Sequence, residues 1–388
     1  MISVQILRLA RAPIAAFAGM GVLWGSFAAV LPDVQMMLGI DETRLGLLMF
    51  MTPIAAVTAM LVAPAVGAAM GRYALPLAAL LMAAAFAFPG QVTAVWLFPF
   101  AMLLCGAGTG LTDVLMNARV AALENQRGVH LMNLSHAAYS FGYAGAAIGT
   151  GMMRGAGWSP AWVLGFWALI SAVFAVFTYE KDGAISGLIK PKGVRAGRLG
   201  LVPIVGGGIV LISFMTENAA ENWSALHIER TLGGSPQAGA MGPAVMALTM
   251  GVARIFGQGI VGRISPGTLL LSGAFIAAIG AATAALAGSA TVAYVGFFVM
   301  GLGSSVIAPT AFSLVGKLAA PQARARAVAR ATLLGYFGYF FGPPMIGVIA
   351  GSVGLRFAFV FAAVMLGMIP ILWQVMKRVS ARDAEGLG

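Results

Sequence analysis

Two pairs of polar side chains, each spaced i, i+4, stand in stretches otherwise apolar enough to cross a bilayer. Asp113 and Asn117 lie in GAGTGLTDVLMNARVAALE, from Gly106 to Glu124. Glu217 and Glu221 lie in Thr216-Glu217-Asn218-Ala219-Ala220-Glu221-Asn222-Trp223, after the run GGGIVLISFM. On a helix that spacing places Asp113 with Asn117, Glu217 with Glu221, and Asn218 with Asn222 on shared faces. A charge within lipid costs at least a few kcal/mol, so an intramembrane carboxyl is by default a functional candidate. Its chemistry is proton transfer: a carboxyl that meets water in one conformation and loses it in another takes up and releases a proton. His136, on the next apolar stretch, adds an imidazole that titrates near neutral pH.

At about 1.5 Å per residue, Asp113 and Asn117 sit roughly 15 and 10 Å from the end of their helix at Glu124. His136 lies at a comparable depth on the antiparallel neighbour, so the three can face one cavity. The structural alternative for Asp113 is a hydrogen-bonded cap for nearby polar groups. For Glu221 it is a place at the water interface, with Trp223 as an aromatic anchor. Asp113, His136 and Glu217 are the proton-coupling candidates. Trp24, Asn117, Tyr139, Glu217, Asn218, Glu221, Asn222 and Gln258 are the substrate-binding candidates. Trp24 can stack on a sugar ring or simply pack. Arg254 either snorkels or pairs with an intramembrane acid, and Asp33 reads as solvated or as a cap.

The elements that carry these groups are apolar segments of spanning length. Twelve are expected, near 13–35, 44–69, 74–90, 92–123, 131–153, 160–179, 200–226, 239–261, 268–287, 291–316, 331–351 and 356–376. The composition agrees: 60% of the 388 residues are hydrophobic, 9% are charged, and the mean hydropathy is +0.93. Unbroken apolar runs of about 20 residues exclude a β-barrel, whose strands are short and alternate polar with apolar. The fold class is therefore all-α and polytopic.

A net charge of +11 would suggest nucleic acid in a soluble protein, but the placement of the charge gives another cause. Of the 23 Lys and Arg, all but Arg44, Arg154, Arg230 and Arg356 fall on one side of the predicted spans. This bias marks that side as cytoplasmic, puts both termini there, and makes the basic balance a topology signal. No nucleic-acid partner is expected. Cys105, alone, can form neither an internal disulfide nor a multi-cysteine metal site. The N-terminal MISVQILRLARAP shows no small-residue cleavage site and reads as the approach to an uncleaved first helix.

The stretch EKDGAISGLIKPKGVRAGRLG, from Glu180 to Gly200, has five basic residues and no apolar periodicity. It reads as a cytoplasmic linker, 181–199, between an N-terminal bundle, 1–180, and a C-terminal bundle, 200–388. The halves echo each other. Gly71-Arg72 ends the second span and Gly262-Arg263 the eighth; Gly142, Gly145 and Gly149 recur as Gly335, Gly338 and Gly342; Gly106 and Gly108 recur as Gly301 and Gly303. All fall at offsets of about 190 to 195 residues, as a duplicated half requires.

Six plus six helices, a basic central loop and Gly-Arg turns resemble the major facilitator superfamily over nearly the whole chain. The family's turn motif G-x-x-x-D-R-x-G-R-[KR] corresponds to Gly67-Ala68-Ala69-Met70-Gly71-Arg72-Tyr73-Ala74, with glycine in the acidic position and the later basic residues absent. Gly67, Gly71, Arg72, Gly262 and Arg263 are the conformational-motif residues this implies. G-x-G-x-G-L-T-D-x-x-x-N on the fourth span, followed by His136, resembles the fucose-permease-like branch, which implies sugar–proton symport. The expectation is a monomeric secondary active transporter of a bacterial-type cytoplasmic membrane. It would move a small polar solute with protons by alternating access, around a site lined by helices one, four, five, seven, eight, ten and eleven. Proton-coupled efflux of drugs or metabolites is the alternative; a channel and a non-transporting receptor are the rivals from other classes. No Walker motif, metal-ligand set or nucleophile-base pair stands out, so neither cofactor nor enzymatic activity is expected.

Overall fold

The computed structural model describes residues 4–185, 199–256, 263–319 and 323–385, and among them regular structure is helical throughout. In lipid a backbone must satisfy its own hydrogen bonds, and helices do so within one segment. The first six spans are α1 (Arg11–Leu38), α2 (Met51–Met70), α3 (Ala74–Phe86), α4 (Phe98–Arg127), α5 (Met132–Gly155) and α6 (Pro160–Phe177). The second six are α7 (Val202–Leu226), α8 (Pro236–Phe256), α9 (Pro266–Leu286), α10 (Ala290–Leu318), α11 (Arg324–Val353) and α12 (Leu355–Gly367). A short helix, Glu42–Met49, leads into α2; Ile369–Glu385 prolongs α12. Within the expected linker, residues 186–198 lie outside the described residues, as do Gln258 and Gly262.

By length and hydropathy alone ten runs qualify as spans among the described residues. Glu42–Phe86 counts there as one, but it divides at Gly71, whose φ of +55° favours glycine. α5 is absent from the ten because His136, the tyrosines and Arg154 dilute its hydropathy. The divided run and α5 bring the total to the twelve expected.

The two six-helix bundles repeat one packing scheme. α1 lies on α5 as α7 lies on α11, α2 lies on α4 as α8 lies on α10, and α3 lies on α4 as α9 lies on α10. The recurring glycines of α4 and α10 sit at these contacts, Gly106 and Gly301 against the backbone of Thr52 and Met246, Gly108 and Gly303 against that of Met82 and Ala277, whereas a Cβ on Gly145 would meet nothing within 4 Å. A Cβ on Gly142 would meet the Ala18 backbone, and one on Gly338 would meet the Leu211 backbone, so both positions permit backbones to approach closely. Between bundles, α5 runs along α8, the Glu42–Met49 helix rests on α11, and α1 touches α7 and α8.

One sequence-based alternative fails here. Trp223 is fully buried, because α7 is enclosed by α8, α10, α11 and α12; it is a core residue and not an interfacial anchor.

Candidate functional site

A cavity of about 280 Å³ lies between the bundles. Trp24 reaches it from α1, Asp113 from α4, His136 and Tyr139 from α5, and Glu217, Asn218, Glu221 and Asn222 from α7. Asn117 stands behind Asp113: its Nδ2 donates to the Asp113 carboxylate at 3.1 Å and to the Asp113 carbonyl at 2.8 Å. The helices differ from expectation in one exchange. α2 lines the cavity through Thr52, Ala56 and Met60, and α10 contributes no described lining residue. Gly301 and Gly303 explain this, since they seat α10 against Met246 and Ala277, behind α8.

The three acids have unlike surroundings. Asp113 has both oxygens engaged, one by Asn117 and the other by the hydroxyl of Tyr336, which donates at 2.8 Å from the opposite bundle. Glu217, on α7, accepts from Ser213 Oγ at 3.0 Å, one turn earlier on the same helix. The Glu221 side chain accepts no hydrogen bond among the described residues; only its backbone carbonyl is bonded, by the Tyr143 hydroxyl at 3.2 Å. Beside Glu217, Asn218 is buried and its Oδ1 has no partner among the described residues. Arg254 is within electrostatic reach of both glutamates and donates to Ser140 Oγ at 3.2 Å across the bundle interface. It enters the cavity and does not snorkel.

His136 shares the cavity with Asp113 but makes no hydrogen bond to it among the described residues. Its ring stands edge-on to Phe17, with centroids 4.8 Å apart. Sequence reasoning missed Tyr336 and Tyr339. Phe214 stacks on Tyr339 at 4.7 Å and tilts against Tyr336 at 5.9 Å, so these rings form the C-terminal wall. The available signal was the glycine-aromatic alternation GYFGYFFG on α11, read only for its glycines.

Apart from the cavity lining, the bundles are tied together by charge. Arg154, at the end of α5, binds Asp33 of α1 at 2.6 and 2.7 Å and Glu229 at 2.7 and 2.9 Å; it also reaches the Ala29 carbonyl at 2.7 Å. Glu229 is carried on a five-residue π-helical turn, His227–Thr231, that continues α7. Asp33 is therefore an ion-pair partner, neither simply solvated nor a helix cap. The sequence could not say so because Asp33 and Arg154 are 121 residues apart.

At the Gly67–Arg72 turn, Arg72 donates to the Tyr73 hydroxyl at 3.0 Å, with its guanidinium 5.0 Å from that ring. Tyr73 in turn stacks on Tyr179 at 5.8 Å. Aromatic contacts thus accompany glycine in the motif's acidic position. Arg263 is exposed.

Residues 206–387 match the family model of the Major Facilitator Superfamily. An uncharacterized MFS-type transporter of Yersinia pestis is 28% identical over 90% of this chain and 90% of its own length. Among solved structures, a D-xylose-proton symporter superposes with a TM-score of 0.77 at 16% identity, covering 95% of this chain and 97% of its own. The transporter FucP, in its outward conformation, gives 0.60 at 16% identity over 94% and 99%. At such identities the structural likeness is one of fold.

Proposed function

For this major facilitator superfamily transporter, we propose proton-coupled movement of a small polar solute, a sugar or related metabolite, by alternating access. The Asp113–Tyr336 hydrogen bond carries the reading. It joins a titratable carboxyl of one bundle to a hydroxyl of the other, inside the cavity between them. If the bundles rock, that bond breaks and the carboxyl exchanges a neutral donor for water, which changes its proton affinity between conformations. The G-x-G-x-G-L-T-D-x-x-x-N motif on α4 favours symport. The apolar, methionine-rich walls favour efflux as the second reading.

Asp113→Asn tests the proposal. It keeps the shape and most hydrogen bonds but removes titration, so proton-driven accumulation should be lost while folding and solute counterflow, which moves no net proton, persist. Normal accumulation in this variant would overturn the role. The proposed orientation puts both termini and residues 181–199 on the cytoplasmic side of a bacterial cytoplasmic membrane, with the Arg154 end facing outward. Labelling of a cysteine introduced at Ser186 from outside intact cells would contradict it.

A further inference from the structure

Resting on that transport reading, we infer that the solute is an organic cation: a monovalent ammonium compound fitting about 280 Å³, with its charged nitrogen against Glu221.

The charged and titratable groups lining the cavity, its tyrosines aside, are Asp113, Glu217, Glu221, Arg254 and His136. Three acids against one arginine, counting the imidazole as neutral, leave two formal negative charges. On α7, Glu217 and Glu221 against Arg254 leave one of them; the other stays on Asp113, whose oxygens are already taken by the neutral donors Asn117 and Tyr336, so the open acceptor positions are on α7. Glu217 gives one oxygen to Ser213, and Glu221 gives none to any described donor. A carboxylate removed from bulk water with empty acceptor positions is costly. What relieves it is a donor brought by the solute. Asn218 Oδ1, buried and without a partner among the described residues, is a second acceptor on the same helix.

The surrounding surface suits positive charge as well. Tyr139 and Tyr339 both lie within electrostatic reach of Glu217 and Glu221, and aromatic faces attract an ammonium through their quadrupoles. Arg254 is the counter-argument, since it draws on the same acids; but it spends its hydrogen bond on Ser140, and one guanidinium cannot neutralise two glutamates. A neutral polyol would bring donors without charge. An anion would be repelled by the uncompensated acids.

The test uses the full chain in lipid nanodiscs and two sets of probes that differ within each set only in charge. Glucosamine, glucose and glucuronate share a polar body; phenethylamine, 2-phenylethanol and phenylacetate share an apolar one. Ligand-dependent melting shifts report binding. In at least one set the amine should bind about tenfold or more tightly than its neutral analogue, as a charge-assisted contact worth about 1.4 kcal/mol requires. In Glu221→Gln that preference should collapse while the ligand-free melting temperature stays near wild type; Glu221→Asp, which keeps the charge, should retain part of it. Equal binding of amine and neutral probes, preference for an anion, or no shift with any of the six overturns the inference. Accumulation in proteoliposomes separates it from the reading beneath. An amine that binds but is never accumulated leaves the cation site standing and sinks transport, whereas proton-driven uptake of glucose without amine preference does the reverse.

Discussion

The guanidinium of Arg154 donates to Glu229 of the opposite bundle at 2.7 and 2.9 Å while holding Asp33 of its own bundle at 2.6 and 2.7 Å. Arg154 is almost wholly buried, and each pairing is bidentate, which fixes geometry as well as charge. The bundles are thus tied, apart from the cavity lining, by a bond that the proposed alternating-access cycle must break.

Removing one partner of a buried ion pair typically costs about 3–5 kcal/mol. Glu229→Gln retains hydrogen-bonding capacity and should cost less, yet enough to open the Arg154 end more often. In that background a cysteine placed at Ala247, on the cavity wall, should react at least about tenfold faster with an impermeant maleimide added from the Arg154 side. An unchanged rate would mean that the ion pair does not hold this end shut.

Thr43 and Gly351 face each other across the same end. A Cβ on Gly351 would stand 3.3 Å from that of Thr43, near the separation a disulfide spans. Thr43→Cys with Gly351→Cys should cross-link under mild oxidation and arrest transport, with activity returning on reduction. Cys105 is buried and should not interfere. Full transport by the oxidised protein would show that the Thr43–Gly351 contact need not open.

Asp113→Ala and Tyr336→Phe should not act additively. Each removes one side of a single 2.8 Å hydrogen bond, so the second change should cost little once the first is made. A double-mutant cycle on thermal stability should return a coupling of about 0.5–3 kcal/mol. A coupling of zero would place the bond outside the energetics of the inter-bundle contact.

Glu217 is buried and hydrogen-bonded to Ser213 within α7, so Glu217→Gln preserves its packing. Solute affinity should fall about tenfold or more while abundance in the membrane stays near wild type, as expected on losing a charge-assisted contact. Normal transport at every solute concentration would remove Glu217 from the site.

The twelve spans and the polar faces of α4 and α7 were legible in the chain itself, because both depend on local quantities. Hydropathy over about 20 residues decides insertion, and the helical repeat decides that Asp113 shares a face with Asn117 and Glu217 with Glu221. The glycine echoes were legible for the same reason, since a duplicated half copies its spacing and, at Gly106 with Gly301 and Gly108 with Gly303, its close contacts as well. What tertiary structure alone decided are the partners across bundles. Tyr336 meets Asp113 over 223 residues of sequence and Arg154 meets Glu229 over 75; no periodicity links them, because their proximity follows from how two separately formed bundles dock. The docking also set His136 against Phe17 and not against the Asp113 carboxyl, seated α10 behind α8, and left Glu221 as the carboxylate with open acceptor positions. A sequence states which helix face is polar. Which of those polar groups are already satisfied, and which remain for a solute, depends on the neighbour that arrives.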